Sequence, residues 1–490
     1  MKLKSVLLLT AVMLHQTSLA QTDKELTDKT VIQNEAYTHL AFLASDELKG
    51  RDTPSEGQET AAKYIALQLA MYGVKSFEGL SDYRQQVPFK KVIAPSTGAI
   101  AAGGESFSYA ADFLKMSGDN LNWSGDVVRL KYATADEIKA ADVKGKMIVA
   151  TCGDGTDPSP QTWFSQSSDK RKAAQEAGAI GLIELYNSPQ IPWQLLVRYL
   201  SGDRISLDKG EAGALTSFWL LDENRKATTA FDAAKTLQIK VEGENAATFT
   251  APNVVGFVEG TDPKLKNEFV VYTAHYDHVG IGQPNAEGDS IYNGARDNAV
   301  GAVAVLQAAK NIAKYPTKRS ALFVFFTAEE KGLLGSEWFV DNSPVPVNQM
   351  VYCNNVDGAG YNDVTKVTVI GLERTTAMET IKGACKAYGL EAIQDPAPEQ
   401  GLFDRSDNVM FAKKGVPAPD FSLGLTAFDS EIQKYYHQAS DHAENMDVEY
   451  LFKYWRAYVL TGRLIANAKE KPFWVEGDKY YEAGVELYKK

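Results

Sequence analysis

Cysteine is scarce, with only Cys152, Cys353 and Cys385 in 490 residues. They can close at most one disulfide, and the sequence does not choose the pair, so a disulfide-held scaffold is excluded. Positive charge is also short: 51 Lys and Arg stand against 63 Asp and Glu, a formal net charge of -12. A nucleic-acid partner needs a positive surface that displaces counterions from phosphates, and this chain has no such excess. Beyond the first 20 residues no apolar run approaches the ~20 residues that span a bilayer. Repeats and low-complexity tracts are missing too. What remains is an ordinary globular balance, 44% hydrophobic, 23% charged and 10% aromatic, with a length for two or three domains at roughly 150 residues each.

Residues 1–20 read MKLKSVLLLTAVMLHQTSLA. Lys2 and Lys4 form a basic head, an apolar stretch runs from Val6 to Leu14, and Ser18-Leu19-Ala20 places small residues where a signal peptidase inspects them. This pattern predicts a bacterial secretory signal peptide cut between Ala20 and Gln21. No cysteine follows the cut, so a lipid anchor is not expected. The expectation is a soluble protein of the periplasm or the exterior.

From Glu35 to Tyr72 the apolar spacing is helical, in two segments that stop at Gly50 and Gly73. From Gln86 to Thr250 short β-like runs alternate with Gly, Asp, Asn and Ser, around a strand–helix–strand unit (DVKGKMIVATCG, DKRKAAQEAGA, IGLIELYN). From Asn253 onward, strongly apolar runs (NEFVVYTAHYDH, RSALFVFFTAEE, NQMVYCNNVD) alternate with helical segments, and a long helix closes the pattern. That alternation predicts an α/β fold with a buried, mostly parallel sheet. The expected layout is a signal peptide at 1–20, a first part of the main domain at 21–85, a separate module at 86–250 and the rest of the main domain at 251–490.

The informative feature is how the apolar runs end. The first ends at His275, followed by Asp277 and His278; the second at Glu329-Glu330; the third at Asp357. Open α/β sheets build sites at the carboxyl ends of their strands. Asp297 opens the helix between the first two runs, where a carboxylate also suits the helix dipole. His437 lies in a later loop, YYHQASDHAEN. Imidazole and carboxylate donors without thiolate suit zinc or a similar divalent ion, and more than four candidates point to two ions sharing a bridge. One of the adjacent glutamates can then bind metal while the other faces the reacting water. Asp277 is placed to orient His275 from behind. Singly, Asp297 reads as a helix cap, the glutamate pair as a solvated turn and His437 as a loop histidine. His278 and His442 read as structural or surface residues. Independent accidents would not end three separate buried strands in His275, Glu329-Glu330 and Asp357.

These segments resemble the M28 family of zinc-dependent metallopeptidases, aminopeptidases with two co-catalytic zincs. The resemblance is carried by AHYDHVG (274–280), NGARDNAVG (293–301), FFTAEEKGLLGSEWF (325–339), NNVDGAG (354–360), RSDNVMFAKKGVPAPDF (405–421) and YYHQASDHAEN (435–445). The stretch HLAFLASDELKGRDTPSEGQETAAKYIA is similar to the family's opening. The middle segment resembles a protease-associated (PA) domain. The fold implied is therefore α/β, a mostly parallel-core sheet sandwiched by helices, with a β-rich PA domain inserted at 86–250.

The resemblance implies roles. His275 and Asp357 would hold one Zn2+, Glu330 and His437 the other, and Asp297 would bridge the two. Glu329 would be the general base acting on a water held by both zincs. Tyr436 matches a tyrosine that helps hold the transition-state oxygen, and Arg405 an arginine near the substrate end of the site. The implied function is a secreted or periplasmic metallo-aminopeptidase that removes the N-terminal residue from peptides with a free amino terminus, with no nucleic-acid partner and no membrane span. The alternatives are a carboxypeptidase or dipeptidase on the same scaffold, or a non-catalytic peptidase-like binding protein. Glutaminyl cyclases share the resemblance but use one zinc, against which the full donor set argues. Two positions depart from the family pattern. Arg296 precedes Asp297 where a second acid is common, and Asn408 follows Asp407 where a histidine is common.

Overall fold

A computed structural model of the protein describes residues 21–489 apart from 81, 157–159, 189, 210–214 and 244–246. The expected signal peptide at 1–20 lies outside the described residues.

The apolar runs become neighbouring strands of a nine-stranded sheet. Phe269–His275 is central, with parallel partners Ser320–Phe326 on one side and Met350–Asn355 on the other. Asp420–Ser422 adds a further parallel strand beyond Met350–Asn355. Every residue of Ser320–Phe326 and of Met350–Asn355 is buried. Such continuous apolar runs belong where both faces of a sheet are covered. Side chains alternate between the faces. Phe323 and Phe325 pack with the helices Glu56–Tyr72, Val300–Lys314 and Val448–Asn467. Leu322, Val324 and Phe326 pack on the other side with Phe339, Phe411 and Trp474. This is the α/β architecture with a parallel core that the sequence pattern implies.

One close approach sets the depth of the last helix. Gly462 lies against the ring of Tyr272, where any Cβ would collide. The helix Val448–Asn467 can therefore seat directly on the strand that ends in His275. Its start is fixed by Asp447, whose side chain accepts from the Tyr450 amide, a capping bond that satisfies one of the free N–H groups of the first turn.

A second sheet of eight strands contains Met147–Thr151, paired in parallel with Asn122–Arg129 and Gly181–Tyr186. The segment 86–250 is not confined to it. Arg84–Val92, Arg204–Leu207 and Ala247–Val258 hydrogen-bond into the nine-stranded sheet. The physical reason is visible in Ala247–Val258. Its first four residues are largely exposed where they pair with Arg84–Val92, while residues 251–256 are buried and the strand runs on beside Ser320–Phe326. The change from polar to apolar near residue 250 thus falls inside one strand that crosses from the rim of the sheet to its core. Among the described residues no helix is long and apolar enough to cross a membrane.

Candidate metal centre

Three of the parallel strands deliver their donors to one edge. His275 is the last residue of Phe269–His275. Glu329 and Glu330 follow Ser320–Phe326 after Ala328, which takes a left-handed φ of 55° and turns the chain out of the strand. Asp357 follows Met350–Asn355. Asp297 comes from the irregular turn Ala295–Ala299 ahead of the helix Val300–Lys314. His437 comes from the loop after the short helix Ser430–Gln433.

Asp297 joins two sets of donors. One carboxylate oxygen, Oδ1, lies 3.3 Å from His275 Nε2, which is also 3.2 Å from Asp357 Oδ1. The other, Oδ2, lies 3.1 Å from His437 Nε2, which is 3.3 Å from Glu330 Oε2. Within each of two groups, His275–Asp297–Asp357 and His278–Asp297–Glu330–His437, the donor atoms lie within 4.8 Å of one another. Glu329 belongs to neither group; its Oε2 stands 4.0 Å from His275 Nε2.

The electrostatics call for cations. Burial opposes ionisation of Asp297, yet hydrogen bonds from His275 and His437 hold its carboxyl well below the usual carboxylate range. Glu330 is buried too and repelled by Asp297, but His278 and His437 bring it down to about 2. His275 is pushed well above the ordinary imidazole value, because Asp357, Glu329 and Asp297 outweigh its burial. His437 rises to about 10 against burial, through Asp297 and Glu330. The carboxylates raise the proton affinity of His275 and His437, so positive charge is favoured at both positions. A divalent ion supplies that charge and finds imidazole and carboxylate donors already converged, so the donor set fits zinc. Glu329 differs from its neighbour: burial, Asp357 and Glu330 raise its carboxyl well above the usual range, with His275 opposing.

Asp277 lies behind His275. His275 Nδ1 is 3.2 Å from the Asp277 carbonyl oxygen and 3.8 Å from its carboxylate, and Asp277 Oδ1 accepts from the Glu329 amide at 3.1 Å. Tyr436 and Arg405 line the same cleft as Asp297, Glu329, Glu330, Asp357 and His437. Arg405 Nη2 donates to Tyr436 Oη at 3.4 Å. The Tyr436 ring stacks on His437 with centroids 4.2 Å apart.

Sequence reasoning passed over several residues here. His278 is fully buried, with Nδ1 2.8 Å from Glu330 Oε1; it is neither at the surface nor remote from the donors. The chain turns back after His275, and the His278 amide donates to the Arg51 carbonyl, which tucks the ring under the cluster. Arg51 itself is buried and its guanidinium donates to the carbonyls of Leu43, Tyr276, Asn293 and Gly294. It pins the turn after His275 to the turn before Asp297. Asp441 accepts from the amides of Arg296 and Asp297 at 2.9 and 3.3 Å. Arg296 donates to Asp441 and Asn445 at 2.8 and 2.7 Å, and its guanidinium lies 3.7 Å from the centre of the Tyr435 ring. The basic residue at 296 thus ties the His437 loop to Asp297. Asp407 and Asp420 are buried carboxyls near the same edge, and burial raises both. Asn408 is buried and donates to the Ala418 carbonyl at 3.1 Å. His442 is not in the donor groups; it pairs with Asp289 at 3.2 Å.

Residues 253–459, which include every donor named above, match the family model for peptidase family M28. Among curated proteins, the chain is 27% identical over 325 residues to aminopeptidase YwaD of Bacillus subtilis, covering 64% of this chain and 60% of that protein. It is 26% identical over 263 residues to a probable leucine aminopeptidase 2 of Aspergillus oryzae, covering 49% and 50%. The chain thus spans about half to three fifths of the length of these relatives. Its fold is similar to that of an aminopeptidase from Aneurinibacillus sp. strain AM-1, with a TM-score of 0.55, 20% identity and coverage of 92% of this chain and 97% of that one.

Proposed function

We propose that this chain is a two-zinc metallo-aminopeptidase of the periplasm or the exterior, which removes the N-terminal residue of peptides. The observation that carries the reading is the division of Asp297: its two oxygens face separate histidine–carboxylate groups, while Glu329 stands 4.0 Å from His275 and belongs to neither. His275, Asp357 and Asp297 would hold one ion, and His437, Glu330 and Asp297 the other, with His278 supporting Glu330. Bound zinc supplies Lewis acidity at a carbonyl oxygen and brings the pKa of water down toward about 7.

Glu329 moves the proton. Its buried carboxylate, with a raised proton affinity, takes a proton from the attacking water and returns it to the leaving amine, as a base with a pKa near the working pH does best. Asp277 keeps the Glu329 amide and the His275 ring in place. The Tyr436 hydroxyl is kept neutral by burial and by Asp297 and Glu330, so it can donate to the developing oxyanion. The carboxylates around the cleft receive a free α-amino group. Ile370, Leu402, Leu425 and Phe428 give the cleft an apolar wall, which suits an apolar N-terminal side chain.

The test compares an unblocked dipeptide such as Leu-Gly, its carboxyl end free, with its N-acetylated form. The expected result is hydrolysis of the free amine form alone. Hydrolysis of a blocked peptide from its carboxyl end would establish a carboxypeptidase, and no hydrolysis of either by zinc-replete protein would reject the peptidase reading. The PA-like module is proposed to comprise the second sheet, with its limits inside 86–250.

A further inference from the structure

Near its carboxyl end the chain returns to the wall of the metal cleft. One side of that cleft is formed by Ile370, Leu402 and Arg405. Leu402 and Arg405 belong to a segment of two short turns, Pro398–Gln400 and Leu402–Asp404. The backbone hydrogen bonds of these turns close locally: Gly401 to Pro398, Asp404 to Gly401 and Arg405 to Leu402. Local turns fix the shape of the segment but not its distance from the metal ligands.

Side chains from outside supply that placement. The Arg374 guanidinium lies 3.9 Å from the centre of the Phe403 ring, and 5.5 and 5.3 Å from those of Trp474 and Tyr480. Its Nε and Nη2 donate to the two carboxylate oxygens of Asp478 at 2.6 and 3.0 Å. Trp474 Nε1 donates to the Gly415 carbonyl at 3.0 Å, and the Val475 amide to the Arg374 carbonyl at 2.9 Å. Lys479 donates to both carboxylate oxygens of Asp404 at 2.9 Å. The returning segment lies beyond residue 459, where the family match ends.

We propose that residues 473–480 form a strap which, through Arg374 and Phe403, sets the position of Leu402 and Arg405 and so determines which N-terminal side chains the cleft accepts. Arg374 and Asp478 are then positioning residues for substrate selectivity. The proposal rests on the aminopeptidase reading for its substrates, but not for the strap itself. The two ion pairs are unequal. Asp478 has a side chain only 6% exposed and receives a two-pronged bond, the strong kind of charge-assisted pair. Lys479 and Asp404 are each 52% exposed, and pairs so open to water hold little. The strap therefore acts through Asp478 rather than Lys479.

The test uses full-length protein carrying Asp478→Asn, Arg374→Lys or Lys479→Ala, each read in two ways. In hydrogen exchange, Asp478→Asn and Arg374→Lys should speed exchange in peptides covering 398–406 and leave those covering 269–275 unchanged. On a panel of N-terminal-residue substrates, both should raise KM for large apolar residues roughly tenfold, with kcat and metal content held. Arg374→Lys belongs with the disruptive variants because an ammonium cannot reproduce the fork or the stacking. Lys479→Ala should stay within about twofold of wild type, and Asp478→Glu should recover part of the selectivity. Unchanged exchange at 398–406 would overturn the strap whether or not the protein is a peptidase. Uniformly faster exchange would show a global stabiliser and reject it. Faster local exchange with an unaltered substrate panel would reject the link to selectivity. Failure of the aminopeptidase reading is seen separately, as wild-type protein inactive on the whole panel.

Discussion

Glu329→Gln is expected to lower kcat by about 10²–10⁴-fold, the usual cost of losing a general base, while the protein keeps its full metal content. The two adjacent glutamates have similar burial but opposite electrostatics. Glu330 is held ionised by His278 and His437, as a ligand must be. Glu329 lies outside both donor groups and has a raised proton affinity, as a proton carrier must. Glu330→Gln should therefore fail differently: it should weaken one ion, and added zinc should restore part of the rate. Measuring kcat and metal content for both variants across added zinc separates the roles. Loss of metal in Glu329→Gln, with both ions retained in a slow Glu330→Gln, would reverse them.

Asp297→Asn is expected to have the largest effect on metal binding. Asp297 faces His275 with one oxygen and His437 with the other, so a single substitution removes a charged donor from both groups. Removing a partner that merely supports a ligand costs about 10–100-fold in metal affinity; losing the bridge itself should exceed that for both ions, with activity falling accordingly. Asp441→Asn provides the comparison. The Asp441 carboxylate accepts from the amides of Arg296 and Asp297 and from the Arg296 side chain and belongs to neither donor group, so its loss should fall within the supporting range. Competition with a chromogenic zinc chelator reads both affinities. An Asp297→Asn protein that binds two ions as tightly as wild type would remove Asp297 from the bridging position.

The strands were legible because their apolar runs are continuous, and the donors were legible because each run ends in one. His275, Glu329, Glu330 and Asp357 share this signature. His437 was found only through its motif, since a loop histidine carries no periodicity. The residues that hold the donors left a weaker trace. Arg51 works through carbonyl oxygens, which every sequence offers, so its burial could not be read from its neighbours. Asp441 and Arg296 lie far apart in the chain, and neither has meaning until the His437 loop folds back onto the turn at Asp297. His278 looked ordinary because its three-residue distance from His275 fits neither strand alternation nor a helix known to be there. The edges of the second module were obscured for another reason: strand Ala247–Val258 changes from exposed to buried along its own length, and composition marks that change rather than the passage between sheets.

Asp297 is proposed to be shared by two ions. Elemental analysis of the metal-replete wild-type protein, after removal of loosely held ions by gel filtration, tests it most directly. The expected value is about two zinc ions per chain, one for each of the histidine–carboxylate groups. A reproducible value of one or none would contradict it.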